Sequence, residues 1–177
     1  MHSTMLAIVM AMLVAGCTSY IPAPIRSAPP DSPPLAVVRD HPNDAVGKTV
    51  RWGGIIAKVD NQQTETWVEI VDKSLGWNGA PLETDKSQGR FIARIAGFLD
   101  PIIYERGRRL TILGTIEPAV THRIGDFTYL FPVVLVSEHH LWAPEPDIVY
   151  YEPWPIWHDP WYPRPFPYHY GPPFYYY

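Results

Sequence analysis

The sequence has little of what a disulfide-stabilised, membrane-spanning or nucleic-acid-binding protein needs. Its single cysteine, Cys17, among 177 residues excludes a disulfide within the chain. The long apolar run from Met5 to Ala15 has 11 residues, whereas a transmembrane helix needs roughly 20. The 14 basic side chains form no cluster and are outnumbered by 18 acidic ones. We therefore expect no nucleic-acid partner, because phosphate binding needs clustered lysine or arginine.

Recognisable catalytic and metal-binding motifs are also missing. The chain has no HExxH, no GxSxG, no Walker loop and no paired cysteines. The neighbouring histidines His139 and His140 would point to opposite faces of a strand, so they cannot share a metal ion without a bend. We predict that the protein is not an enzyme and holds no metal or other cofactor.

Two groupings have both a functional and a structural interpretation. Asp100 with Arg106, Arg108 and Arg109 would suit an anion site, but a capping aspartate among solvated arginines is the simpler prediction. Trp52–Gly54 would let a ligand approach an aromatic ring closely. A bend of the sheet next to a core tryptophan is the favoured interpretation.

The N-terminus has the pattern of a secretory signal. The apolar run has the length of a signal-peptide core, and Val14-Ala15-Gly16-Cys17, which ends it, resembles the lipobox of bacterial lipoproteins. This resemblance implies that residues 1–16 are a signal peptide and that Cys17 is the lipidation site, carrying several acyl chains that anchor the mature protein. The absence of Lys or Arg from Met1–Thr4 departs from the usual pattern and makes the start codon worth checking.

The prolines divide the mature chain into three parts. Seven of the 21 fall between Pro22 and Pro42 and ten fall from Pro144 onward. Proline favours extended backbone and interrupts helices and ladders. We therefore predict a Pro-rich tether at 17–44, a folded domain at 45–142, and a Pro/Tyr/Trp-rich tail at 143–177. Whether the apolar residues 35–38 pack on the domain or form a short strand stays open.

Residues 45–142 have the alternating pattern of consecutive β-strands. The connection from Asp100 to Gly107 has a capping residue, a proline and a terminal glycine, which predicts a short helix before the fourth strand. Pro132 predicts that the last strand lies at an edge or is kinked. The fold class is all-β, a small antiparallel β-barrel of OB-like order with one short helix. The predicted strands cover Lys48 to Val59, Thr64 to Val71, Arg90 to Ala96, Arg109 to Glu117 and Phe127 to Val136.

Six stretches of this domain stand out together: Val50–Ala57, Gly89–Phe91, Gly97–Pro101, Tyr104–Arg108, Tyr129–Val134 and Leu141–Trp142. In this order they resemble the Slp family of bacterial outer-membrane lipoproteins. The resemblance covers roughly residues 35–142 and the lipobox, with the tail beyond it. It implies a lipid-anchored envelope protein connected with stress physiology, and no catalytic residues. Thr18, which stands where an aspartate often retains enterobacterial lipoproteins in the inner membrane, favours the outer membrane.

The C-terminal tail is unusual in composition. It holds ten prolines and 13 aromatic residues but only five charged side chains, which predicts extended or disordered backbone. It would pack partly on the barrel, dock into a partner, or contact headgroups or glycan. We expect an outer-membrane lipoprotein with a non-catalytic domain in a structural or interaction role. The alternative is a periplasmic binding module for cell-wall glycan or peptide.

Overall fold

The computed structural model describes residues 21–144, and these residues form five strands and three short helices. None of the helices within this range is long and apolar enough to cross a membrane. The predicted signal peptide, Cys17 and nearly all of the aromatic tail lie outside the described residues. The elements are α1 (Ala23–Arg26), α2 (Leu35–Asp40), α3 (Pro42–Ala45), β1 (Thr49–Asn61), β2 (Glu65–Asp72), β3 (Arg90–Ala96), β4 (Arg109–Ile124) and β5 (Phe127–Leu141).

The five strands form one sheet that closes on itself in the order β1-β2-β3-β5-β4, with β4 pairing back to β1. The predicted all-β class is confirmed. The prediction that all pairs are antiparallel is wrong at one seam, because β3 and β5 pair in parallel over Ile92–Arg94. One parallel seam is required because a closed sheet of five strands cannot alternate in direction throughout, and its other four pairs are antiparallel.

β1 changes its pairing partner at Gly54, and the irregularity in its ladder with β2 lies between Ile56 and Lys58, beyond the predicted glycine pair. Its first half pairs with β4 and its second half with β2, and both ladders meet at Gly54 and Ile55. A β-carbon at Gly54 would overlap the carbonyl oxygen of Val71 on β2. Glycine is therefore required where the strand passes from one partner to the other.

The core fills the inside of the closed sheet with alternating side chains from every strand. Each of the inward-facing positions predicted for β1, β3 and β4 is buried. Trp52 packs edge-on against Phe91, with ring centroids 5.3 Å apart. A second, smaller cluster of Ile92, Phe131 and Val133 lies apart from this core. Ile92, predicted to face outward, is thus buried by the neighbouring strand.

The helix predicted between Asp100 and Gly107 is absent, and the segment forms a turn instead. Asp100 does act as a cap, since its carboxylate accepts the amide N–H of Ile102 at 2.8 Å. The helix does not continue because the Gly107 amide donates to the carbonyl of Ile56 on β1, at 2.9 Å. The Gly107 amide thus forms a hydrogen bond to the sheet in place of a second helical turn.

The predicted extended tether is also corrected where the structure describes it. Residues 21–45, which we call the strap, contain the three helices. Leu35 and Val38, three apart on α2, are each 1% exposed and join the barrel core. Proline is compatible with a helix in its first turn, which is where α1 and α3 carry it. The packed structure therefore begins before the predicted boundary at 45.

β4 and β5 extend beyond their predicted ends to Ile124 and Leu141. Between them the register shifts from Glu117 to Val120, opposite Pro132. The extra residue of this bulge lies on β4, opposite Pro132. Because β5 pairs with β4 on one side and with β3 on the other, it is not an edge strand. The hairpin arm beyond the bulge reaches toward β2, where His122 lies 5.9 Å from the ring of Trp67.

Candidate functional site

The strap is fastened to the barrel by two neighbouring residues of β1. The Arg51 guanidinium donates to the carbonyls of Ile25, at 3.0 Å, and Arg26, at 2.7 Å. The Trp52 indole N–H donates to the carbonyl of Pro33 at 2.9 Å. Trp52, which the sequence offered as a candidate ligand contact, therefore helps Arg51 to hold the segment that leads from the predicted anchor.

Gln88 and Arg39 fasten the strap at a second place. The Gln88 side chain accepts the amide N–H of Ala36 at 3.1 Å, and the guanidinium of Arg39 donates to the Gln88 carbonyl at 2.6 Å. Arg39 also lies over the ring of Tyr129, 5.3 Å from its centroid. The strap thus contacts β1, the β2–β3 connection and β5.

A cleft of about 480 Å³ lies between the strap and the barrel, and its lining includes residues 28–30 and 32–35 of the strap together with Trp52, Asp72 and Gln88. Asp72, at the end of β2, is 8% exposed. Burial raises the pKa of its carboxyl, while a hydrogen bond from the Gln88 amide and the charge of Lys73 oppose the rise. A carboxyl of this kind is a candidate proton donor.

The cleft contains the Asp72 carboxyl as a candidate acid, but it lacks the other groups that a catalytic site would need. The amide of Gln88 reaches a carboxylate oxygen of Asp72 at 3.4 Å, and the amide of Asp72 donates to the Gly89 carbonyl. The ammonium group of Lys73 donates a hydrogen bond to the carbonyl of Thr84. Within residues 21–144 no histidine, cysteine or second carboxyl lines this cleft beside Asp72. A single buried carboxyl without a second catalytic group beside it fits a structural role in the fold better than acid–base chemistry.

A buried hydroxyl joins three separate parts of the domain. Thr111 on β4 is 0% exposed; its Oγ1 donates to the carbonyl of Gly79 at 2.7 Å and accepts the indole N–H of Trp142 at 2.9 Å. Gly79, with φ of 88°, packs directly against the carbonyl of Ile25 in the strap. The strap, the β2–β3 connection and the end of β5 therefore meet at Thr111.

Gly79 ends a tight turn, Gly76–Gly79, which we call the Trp77 turn. The amide of Gly79 donates to the carbonyl of Gly76 at 2.9 Å, and the Asn78 side chain accepts the amide of Ala80 at 3.0 Å. Trp77 stands at the corner of this turn and is 95% exposed. A rigid turn therefore presents a large aromatic side chain to solvent.

An ion-pair network covers the outer face of β2 and β3. Arg94 pairs with Glu65, at 2.8 Å, and with Glu117, and it lies over the ring of Trp67. The hydrogen bond from Arg94 lowers the pKa of Glu65, with a smaller contribution from the Trp67 indole. Every charged group of the network is paired, which is the arrangement of a stabilising surface network rather than of a ligand site.

The groupings singled out from the sequence are not brought together into a site. His139 lies beside Tyr104, with Nε2 3.0 Å from the phenol oxygen, and its pKa is lowered by burial; His140 packs against the ring of Trp142. Arg108 donates to the carbonyls of Ile103 and Trp142 instead of joining Asp100. Between residues 21 and 144 no group of three potential metal ligands occurs.

The tryptophans of the described range do not share a groove. Trp52 and Trp142 are buried, Trp67 is half-buried under the hairpin arm, and Trp77 is exposed by itself. Glycan binding by stacking usually needs two aromatic faces along one groove. Sequence reasoning missed Asp72, Thr111 and Trp77; only the turn signal Trp77-Asn78-Gly79 was visible beforehand.

Fold and site together define a small all-β domain that holds an N-terminal strap and shows no catalytic group with its partners in the described residues. Residues 14–175 match the outer membrane lipoprotein Slp family, and the chain belongs to this family. The match includes Cys17 and extends through the aromatic tail, which the resemblance seen in the sequence left outside. The predicted family and outer-membrane lipoprotein class are thereby confirmed.

Two relatives come from Escherichia coli (strain K12). The uncharacterized lipoprotein YeaY is 35% identical over 152 residues, which are 86% of this chain and 77% of that protein. The outer membrane protein Slp is 34% identical over 135 residues, which are 75% of this chain and 71% of that protein. No solved structure shows a significant match to the chain.

Proposed function

We propose that the mature chain is a non-catalytic lipoprotein anchored in the outer membrane by acyl chains on Cys17. The observation that carries this proposal is the family match, which begins at residue 14 and so includes Val14–Cys17. Several acyl chains contribute about 0.8 kcal/mol for each buried CH₂, which is enough for stable anchoring.

We assign a role to each part of the chain on the basis of this anchor. Residues 1–16 direct export and are removed, the strap and barrel form the folded domain, and residues 143–177 form the tail. The cyclic strand order β1-β2-β3-β5-β4 and the long connection between β3 and β4 support an OB-like barrel. The domain has a structural or interaction role in the envelope. Its connection with stress and a protein or glycan partner for the tail stay predictions.

The anchor is tested by labelling with radioactive palmitate in a Gram-negative host. Wild type should incorporate label and sediment with outer-membrane fractions, whereas Cys17→Ala should accumulate as unlabelled precursor. Thr18→Asp is the matched control, expected to keep the label but to shift toward the inner membrane. If wild type itself takes up no palmitate, the anchor is wrong.

A further inference from the structure

The Trp77 turn is the place where the fold presents a rigid, unpartnered aromatic side chain. Trp77 is 95% exposed, and Leu82, at the other end of the same short excursion, is 44% exposed. Backbone pairing of Leu75 with Pro81 and the hydrogen bonds within the turn fix the backbone that carries Trp77. Because residues 21–144 leave this large side chain almost fully exposed, it is available for an external contact.

The strap places this turn close to the anchor. Ile25 of α1 is fully buried, and its carbonyl packs against Gly79 at the end of the turn. The described chain begins at Ile21, four residues after Cys17. Four residues span at most about 14 Å even when fully extended. The lipidated cysteine is therefore never far from the edge of the barrel that carries Trp77.

The chemistry of the turn suits a lipid headgroup region. Tryptophan prefers the interface between headgroups and acyl chains, where its ring is half in apolar surroundings and its N–H still finds acceptors. The β2–β3 connection has two lysines and two acidic residues, Lys73, Lys86, Glu83 and Asp85. Its formal charge is therefore zero in a chain of net charge −4, so an anionic bilayer does not repel it.

We propose that the Trp77 turn is a second membrane contact, which inserts into the headgroup region and sets the orientation of the lipid-anchored barrel. This inference rests on the proposed anchor at Cys17. With the acyl chains as one contact and Trp77 as the other, rotation of the domain about a single tether is restricted. The exposed residues Phe98, Ile102 and Ile103 lie in the connection that leaves the opposite end of β3. They are then directed away from the bilayer.

The test uses the full mature lipoprotein in vesicles of phosphatidylethanolamine and phosphatidylglycerol. Cys17 is the only native cysteine and is acylated, so a cysteine introduced by Trp77→Cys is the one reactive thiol and takes an environment-sensitive fluorophore. Ile102→Cys is the matched control, because Ile102 is 83% exposed at the other end of β3. Circular dichroism checks that both variants remain folded.

Nitroxide groups on the lipid headgroups should quench about half of the fluorescence at position 77 and little at position 102. Equal quenching at the two positions, or stronger quenching at 102, overturns the inference. Flotation of the labelled protein with the vesicles is measured in parallel. Protein that floats without quenching at 77 refutes the second contact alone, whereas protein that does not float refutes the anchor on which it rests.

Discussion

Replacing Thr111 by valine tests whether one buried hydroxyl joins the Trp77 turn, β4 and the end of β5. Valine has the same shape, so no cavity forms, but the indole N–H of Trp142 and the carbonyl of Gly79 both lose their partner. Each buried polar group left without a hydrogen bond costs about 1–3 kcal/mol. Since two groups are affected, we expect Thr111→Val to lower the free energy of unfolding by about 2–6 kcal/mol.

The measurement is urea unfolding followed by far-ultraviolet circular dichroism, with Thr115→Val as the matched control. Thr115 lies on the same strand but is exposed, so its substitution should change stability by less than about 0.5 kcal/mol. Trp142→Phe removes the N–H that Thr111 accepts. In the double variant the indole N–H is absent, so no donor is left without an acceptor. The double variant should therefore lose less free energy of unfolding than the two single variants together, by about 1–2 kcal/mol.

Two results would refute this reasoning. A Thr111→Val variant as stable as the Thr115→Val control would mean that the hydroxyl does not bridge buried groups. Strict additivity of Thr111→Val and Trp142→Phe would mean that the two residues are not hydrogen-bonded to each other. The first outcome would remove the proposed link between the Trp77 turn and β4, and the second would remove the link between β4 and the end of β5.

The remaining predictions concern a buried charge and a close approach of two strands. Because burial raises the pKa of Asp72 in the folded state, its contribution is fully present below the unfolded pKa and is lost as pH rises through the folded value. Asp72→Asn keeps an acceptor for the Gln88 amide, so it should stabilise the protein at pH 7 and abolish this part of the pH dependence; a less stable variant in urea titrations at neutral pH contradicts the assignment. Gly54→Ala should prevent folding or destabilise severely, because the carbonyl of Val71 occupies the space of the new methyl group. Gly76→Ala, which meets only the end of an exposed leucine side chain at 3.3 Å, should remain folded with a similar melting temperature, and equal effects of the two substitutions would refute the steric argument.

The strands were predictable because period-two alternation records directly which side chains face the core. β3 begins and ends where the pattern predicts. The seam between β3 and β5 was not predictable in direction, because alternation is the same for parallel and antiparallel neighbours.

The strap shows why local composition misled. Its prolines favour extended chain, yet Pro22, Pro24, Pro34 and Pro42 fall in first turns or immediately before helices, where they are tolerated. Burial of Leu35 and Val38 in the barrel core supplies the free energy that short isolated helices lack. At Asp100 the opposite occurs. The capping residue predicts a helix, but the helix does not form because the Gly107 amide is hydrogen-bonded to β1.

By itself the sequence determined the all-β class, the absence of a disulfide and the family, since each depends on residue identity and order along the chain. Only the tertiary structure decided where the sheet closes, that the strap docks on it, that Asp72 and Thr111 are buried and that Trp77 is exposed. These features depend on burial and on contacts between residues that are distant in sequence, such as Thr111 with Gly79. No local pattern records such contacts, because the free energy of burying a polar or aromatic group is set by its partners in space.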